Sequence, residues 1–305
     1  MSSHQARFWP RTAALALVTA ALVLVACKRD EEPPGQLMLA LTTDLQPGKD
    51  FDSVSVEVLS FGSREFKNDY AVGPSGLKLP ATLGIVAGKK PDEPVTIRVI
   101  SSLRGRPRTL REVVTTIPED RVATLAVKIE WFCLDWVVTT DEGVVDSTCP
   151  EGETCVAGSC VEVEVEAASL PTYQASAIFG GGDGSGSGAC FDTVACFAEG
   201  YGAAVELDDC TIEAAPEPEA GRGVSVALVG AEDGEGICGP DACYVPLDAD
   251  LAPEVGGFVV EDERLTLPAA ACVALAAGEL RGVAVTTACA PKTTVAPAAP
   301  TAAQQ

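Results

Sequence analysis

The sequence predicts a mainly β protein, and three observations carry that expectation. Apolar and polar residues alternate with period two over several short runs, clusters of Gly and Pro separate those runs, and cysteines crowd the chain from residue 133 onward. A period of two puts one set of side chains on a buried face and the other in solvent, as half-buried strands require. The pattern divides the chain into a β-sandwich domain over 36–132, a cysteine-rich module over 133–160 and an acidic, disulfide-bearing β domain with one short helix over 161–290. A leader and tether precede these, and a low-complexity tail follows at 291–305.

The leader comes first. Arg7 and Arg11 precede fourteen uncharged, almost wholly apolar residues from Ala13 to Ala26, and Leu24-Val25-Ala26-Cys27 ends the run. A basic start, an apolar stretch and small residues before a cleavage point make a signal peptide over 1–26. Fourteen helical residues reach roughly 21 Å, short of the ~30 Å needed to cross a bilayer. The run ending in Leu24-Val25-Ala26-Cys27 resembles the lipobox of bacterial lipoprotein precursors. That resemblance implies cleavage before Cys27 and diacylation, with palmitate-type chains, on its sulfur; two acyl chains suffice for stable anchoring. In that family an Asp after the cysteine retains the protein in the inner membrane. Lys28 stands there, so an outer-membrane or cell-surface location is expected. Residues 27–35, CKRDEEPPG, read as a charged, Pro-rich tether.

In the first domain, Val54, Val56 and Val58 alternate with Ser53, Ser55 and Glu57; Val95, Ile97 and Val99 alternate with Thr96 and Arg98. Leu125, Val127, Ile129 and Trp131 repeat the pattern against Ala126, Lys128 and Glu130. Turns fall at Gln46-Pro47-Gly48, Gly73 to Gly76, Gly88 to Pro91 and Arg104 to Pro107. Short strands at this spacing suggest an immunoglobulin-like or transthyretin-like sandwich. Arg98, Arg104, Arg106, Arg108 and Arg111 fall on one expected hairpin, where they form a site for anionic partners or merely counter neighbouring acids.

The module from Cys133 to Cys160 holds too little apolar sequence for a core, so covalent bridges must shape it. It loosely resembles short EGF-like pieces of extracellular proteins, and its four cysteines, Cys133, Cys149, Cys155 and Cys160, allow three pairings. Val161, Val163 and Val165, alternating with glutamates, mark a strand that opens the second domain. The glycine run from Gly180 to Cys190 lacks the GK[ST] ending or GxGxxG pattern of phosphate loops. Val224 to Val229 and Gly282 to Thr286 read as strands, and Ala231 to Gly236 as an acidic turn. The four-residue interval within Cys238 to Cys243 suggests a local structural bridge, not a redox CxxC. Pro268 and Gly278 bracket a short helix.

Composition narrows the chemistry. The chain carries a net charge of -23, and its two halves differ: residues 27–161 hold 15 basic and 21 acidic side chains, 162–305 only 4 basic and 23 acidic. Such an acidic half repels phosphate backbones, so no nucleic-acid partner is expected. Besides Cys27, eleven cysteines remain: Cys133, Cys149, Cys155, Cys160, Cys190, Cys196, Cys210, Cys238, Cys243, Cys272 and Cys289. In an exported chain these are disulfide candidates, with one left over. The single histidine, His4, leaves with the leader, so His-based triads and His-bearing zinc sites are not available. No catalytic residue is assigned and the chain is expected not to be an enzyme. The open alternative is a carboxylate-dependent glycan-active enzyme, drawing on Asp192, Glu199, Glu206, Asp208, Asp209, Asp248 or Asp250. Asp208, Asp209, Asp248 and Asp250 are also weak candidates for a structural calcium, although neither pair is an EF-hand loop. The expected role is binding or structure within the cell envelope, toward a protein or polysaccharide partner.

Overall fold

The computed structural model describes residues 35–73, 75–86, 92–180, 191–213, 216 and 223–294. The leader, Cys27, most of the tether, the Gly88 to Pro91 turn, Cys190 with nearly all of the glycine run, and the tail from 295 lie outside the described residues. The rest is mainly β, with several sheets and few short helices.

Seven strands build a two-sheet sandwich: β1 (Gln36–Thr43), β2 (Ser53–Ser60), β3 (Ser63–Ala71), β4 (Ala81–Val86), β5 (Val95–Leu103), β6 (Arg106–Thr115) and β7 (Val122–Ile129). One sheet has the order β4-β1-β7, with β1 parallel to β7; the other has the antiparallel order β3-β2-β5-β6. The alternation expected from the sequence is the packing pattern: Val54, Val56, Val58, Ile97 and Val99 meet Leu37, Leu39, Leu41, Leu125, Val127 and Ile129 in one core. On the outer face, the register aligns Lys67, Glu57, Arg98 and Glu112 across four strands. Lys67 approaches Glu57 at 3.0 Å, Arg98 approaches Glu57 at 3.2 Å and Glu112 at 2.9 Å. Opposite charges placed directly across strands favour this register over a slipped one.

The free edge of β6 is covered. The carbonyl of Val163 accepts from Val114 N at 2.8 Å, Val165 N donates to Val114 O at 2.9 Å, and Thr154 Oγ1 accepts from Glu112 N at 3.1 Å. Val163 and Val165 were expected to open the second domain; they strap the sandwich instead, because an unpaired edge offers the backbone partners such a segment needs. The strap continues to Tyr173, whose N donates to Val122 O at 2.8 Å. Valine alternation marked the extended conformation but not which sheet would recruit it.

The cysteine-rich module contains β8 (Val137–Thr139), β9 (Val145–Ser147), β10 (Glu153–Val156) and β11 (Ser159–Glu162). Of the three pairings open to its cysteines, the module adopts the one in which Cys133 joins Cys155 and Cys149 joins Cys160. The β10–β11 register sets Cys155 directly opposite Cys160, yet each is bridged to a partner outside that cross-strand pair. The turn itself, Ala157-Gly158, has φ of 50° and 77°, the left-handed pair of a two-residue hairpin.

The remaining strands are β12 (Tyr201–Ala203), β13 (Thr211–Ile212), β14 (Ser225–Val229), β15 (Ile237–Cys238), β16 (Cys243–Pro246), β17 (Val259–Glu261), β18 (Arg264–Thr266) and β19 (Gly282–Thr286). The helices are α1 (Ala175–Phe179), α2 (Thr193–Phe197) and α3 (Ala269–Ala277). A five-stranded sheet, β12-β19-β14-β16-β15, is the centre. One face buries Val226, Leu228, Val283 and Val285 against α3 and β18; the other packs Ala227 and Ala284 under Phe197 of α2. Helix α3 is the short helix bracketed by Pro268 and Gly278, and Gly278 ends it in the left-handed conformation at φ 75°. Cys210 is bridged to Cys272 of α3, and Cys196 of α2 is bridged to Cys289 beyond β19, so both helices are tied covalently to this unit. Cys238 and Cys243 form the local bridge expected from their spacing.

The low-complexity stretch starts with structure. Lys292 is buried, and its carbonyl accepts from Ala249 N at 2.8 Å, so residues 291–294 belong to the folded body and not to a tail. Its composition is uninformative, but one lysine carries a buried ion pair.

A Cβ at Gly158 would lie 2.6 Å from Ala270 Cβ, whereas one at Gly62, φ 73°, would meet nothing within 4 Å. Gly158→Ala should therefore cost about 1–3 kcal/mol and Gly62→Ala about 1 kcal/mol or less. Urea unfolding of both variants checks this; equal losses would mean that α3 does not press on the hairpin.

Candidate functional site

The outer face of the β4-β1-β7 sheet is where the chain leaves space. Inward positions of β1 and β7 are large and apolar, but the outward ones include Ala40, Thr42, Thr124 and Ala126. The parallel register pairs Ala40 with Ala126 and Thr42 with Lys128. Small side chains on adjacent strands make a flat floor. Over it lies a cleft of about 440 Å³. One wall comes from Pro171 to Ile178, including α1; the other comes from Asp248, Leu251, Val255, Lys292 and Thr294; Arg111 and Val156 close an end.

Charges converge here. Lys128 Nζ lies 2.9 Å from Asp44 Oδ2 and 3.3 Å from Asp248 Oδ2, while Asp248 Oδ1 receives Lys292 Nζ. Asp44 is 1% exposed, and its Oδ1 accepts from Trp131 N at 2.8 Å. The next outward residue, Glu130, is 6% exposed and its Oε1 accepts from Ala157 N at 2.9 Å. Arg111 Nη1 is buried without a hydrogen-bond partner among the described residues.

Burial sets the protonation of this group. Glu130 is pushed up to about 7, first by desolvation and then by the nearby Asp44 charge, against the pull of Lys128 and Arg111. Burial works against the charge on Lys128, but Asp44, Asp248 and Glu130 outweigh it and raise its pKa. Asp248 is lowered, because Lys128 and Lys292 outweigh its desolvation. Desolvation, then the neighbouring Lys128, lowers Lys292. Burial also lowers Arg111, with Glu130 opposing.

The five arginines singled out from the sequence do not form one site. Arg98 belongs to the outer charge ladder, Arg104 occupies the β5–β6 turn with φ 53°, and Arg106 is exposed. Arg108 pairs with Asp135 at 3.1 Å and Glu235 at 3.2 Å. Only Arg111 enters the cleft. A register shift at Ser101/Ser102 sits between it and the hairpin tip. Period-two counting does not reveal such a bulge.

The acidic candidates are likewise dispersed. Asp209 faces Arg264 at 2.7 Å and accepts from Thr211 Oγ1 at 2.7 Å, next to Asp208. Asp250 accepts from Thr294 N and Oγ1 at 2.9 and 2.6 Å. Asp248 is held by two ammonium groups, which oppose a calcium ion there. Among the described residues no group of three or more His, Cys, Asp or Glu is placed to hold a metal. Asp192 caps α2 by accepting from Ala195 N at 3.0 Å.

The cysteines stand apart from the cleft. Cys133, Cys149, Cys155 and Cys160 are consumed in the module's two bridges, and Cys196, Cys210, Cys238, Cys243, Cys272 and Cys289 in the three of the second unit. Cys190, the eleventh candidate, falls outside the described residues. Sequence reasoning missed Asp44, Lys128, Glu130 and Lys292. The signal for two of them was present, as charged residues at outward positions of a strand otherwise bearing small ones.

Comparison with known proteins finds no matching family model, no similar curated protein and no similar solved structure.

Because folded Glu130 holds its proton until about pH 7, whereas the unfolded side chain releases it near 4.5, its protonated form favours the folded state. That contribution is complete below about pH 4.5 and is lost as pH rises through about 7. Glu130→Gln keeps an acceptor for Ala157 N and removes the titration. Relative to wild type, the variant should gain stability as pH rises from 5 to 8, by on the order of 3 kcal/mol. Parallel pH–stability curves for the two proteins would contradict the assignment.

Proposed function

We propose that the protein is an exported bacterial lipoprotein, anchored through Cys27, that acts at the outer membrane or cell surface by binding rather than by catalysis. The observation that supports this reading best is covalent: among the described residues, ten cysteines join in five bridges, spread over the module and the second unit. Such bridges persist outside the reducing cytoplasm, where a lipobox sends its cargo. The lipid fixes location, and the bridged body presents a surface to an envelope protein or polysaccharide.

Binding is favoured over glycan hydrolysis by the state of the carboxylates. A glycosidase needs two carboxyl groups free to face each other across a sugar. Asp209, Asp248 and Asp250 are each committed to a cation or a backbone group.

Cys27→Ser tests the anchor. Wild-type protein should partition into detergent and yield an acylated amino-terminal peptide beginning at Cys27, whereas the variant should remain uncleaved or partition as a soluble chain. Identical partitioning of both proteins, or recovery of the native chain from the cytosol with residues 1–26 attached and its cysteines reduced, would overturn the reading.

A further inference from the structure

We propose that the cleft over β1 and β7 binds a small organic monocarboxylate, with Arg111 as its principal anchor and the small-residue floor seating its body. This goes beyond the reading above, which concerns an envelope protein or polysaccharide, by adding a small-molecule site.

Three features of the cleft carry the proposal. First, Arg111 Nη1 is buried with no hydrogen-bond partner among the described residues, and an unsatisfied guanidinium donor away from water is costly. A planar fork of N–H groups matches a carboxylate. Second, the cleft has a volume of about 440 Å³, within the range of small-molecule sites of roughly 300–1,000 Å³. Its floor of Ala40, Thr42, Thr124 and Ala126 has room for a compact apolar body. Third, the local charges do not balance. Arg111, Lys128 and Lys292 are cationic and Asp44 and Asp248 anionic, so a protonated Glu130 leaves one positive charge in excess. A monoanion neutralises it, while a phosphate dianion overshoots.

The same arrangement makes binding depend on pH. Glu130, just past β7, is faced by Lys128 of β7, Asp44 following β1, Arg111 of β6 and the Ala157 amide, and it lines the cleft together with Asp248 and Lys292. Ionising Glu130 supplies the missing negative charge from within and competes with the ligand for Arg111. Affinity should fall as pH rises, by up to about tenfold between pH 6 and pH 8.

The test uses the purified full-length chain in detergent, titrated calorimetrically at pH 6 and constant ionic strength with acetate, butyrate and benzoate. Benzamide serves as the neutral match to benzoate, and inorganic phosphate as the competing anion. At least one carboxylate should bind saturably, benzamide should not, and Arg111→Met should weaken binding about tenfold or more. Ala126→Leu fills the floor from an exposed position and leaves every charged residue in place. It should retain the wild-type melting temperature yet lose binding, which keeps the test decisive if Arg111→Met fails to fold. Absence of binding by all three carboxylates, equal binding of benzamide, tighter binding of phosphate, or no effect of Ala126→Leu would each overturn the proposal. These readouts do not involve the anchor: a failed Cys27 assay with intact carboxylate binding, or the reverse, tells the two proposals apart.

Discussion

The structure turns on the ammonium of Lys128, shared between Asp44 at the end of β1 and Asp248 in the loop after β16. Lys292 completes the chain of charges on the other oxygen of Asp248. Buried ion pairs of this kind add little net stability, because desolvation offsets most of the attraction. Breaking one, however, strands a charge at a cost of about 3–5 kcal/mol. Lys128 is thus held by an aspartate of its own sandwich and by one of the second unit, which ties the two parts at this point. The remaining cross-links obey that placement. Gly236 N donates to Asp50 Oδ2 at 2.9 Å, Cys238 N donates to Gln46 Oε1 at 3.1 Å, and Trp131 packs against both cores.

That docking explains why the cleft persists. An outward sheet face is ordinarily covered by side chains large enough to meet the opposing layer. Here the opposing layer is held off by charges at one end and by the Pro171 to Ile178 strap on the other side, over a floor of alanine and threonine. The disulfide between Cys133 and Cys155 acts similarly from below, since it fixes the Ala157 amide against Glu130.

Much of the fold was legible in the sequence because its causes are local. Val54, Val56 and Val58 show the period of a half-buried strand, Pro268 and Gly278 bracket α3, and the short loop from Cys238 to Cys243 favours closure on itself. The missed features have non-local causes. Nothing near Val163 says that β6 has a free edge, and nothing near Lys292 says that Asp248, 44 residues earlier, awaits a counter-ion. The long-range bridges were equally unreadable, since the choice of Cys289 for Cys196 and of Cys272 for Cys210 depends on which elements the sheet brings together. Arg111 was grouped with its hairpin neighbours by nearness in sequence, whereas it pairs with Val99 of the core and so lies on the opposite face from Arg98 and Glu112. Of the cleft, only the contrast of small residues with Lys128 and Glu130 on one strand face was readable.

The placement of the site follows from how the units are held. The sandwich alone would expose Lys128, Glu130 and Arg111 to water, where charges are well solvated and discriminate poorly among ligands. Asp248 and Lys292 close over Lys128, and the Ala157 amide of the module closes over Glu130, so that charges near the cleft are held away from water. The disulfides stiffen the module and the second unit each within itself, while the Lys128–Asp248 ion pair and the hydrogen bonds of Asp50 and Gln46 join the second unit to the sandwich. Ion pairs and small residues thus act together: one fixes Asp248 beside Lys128, and the other leaves space over β1 and β7.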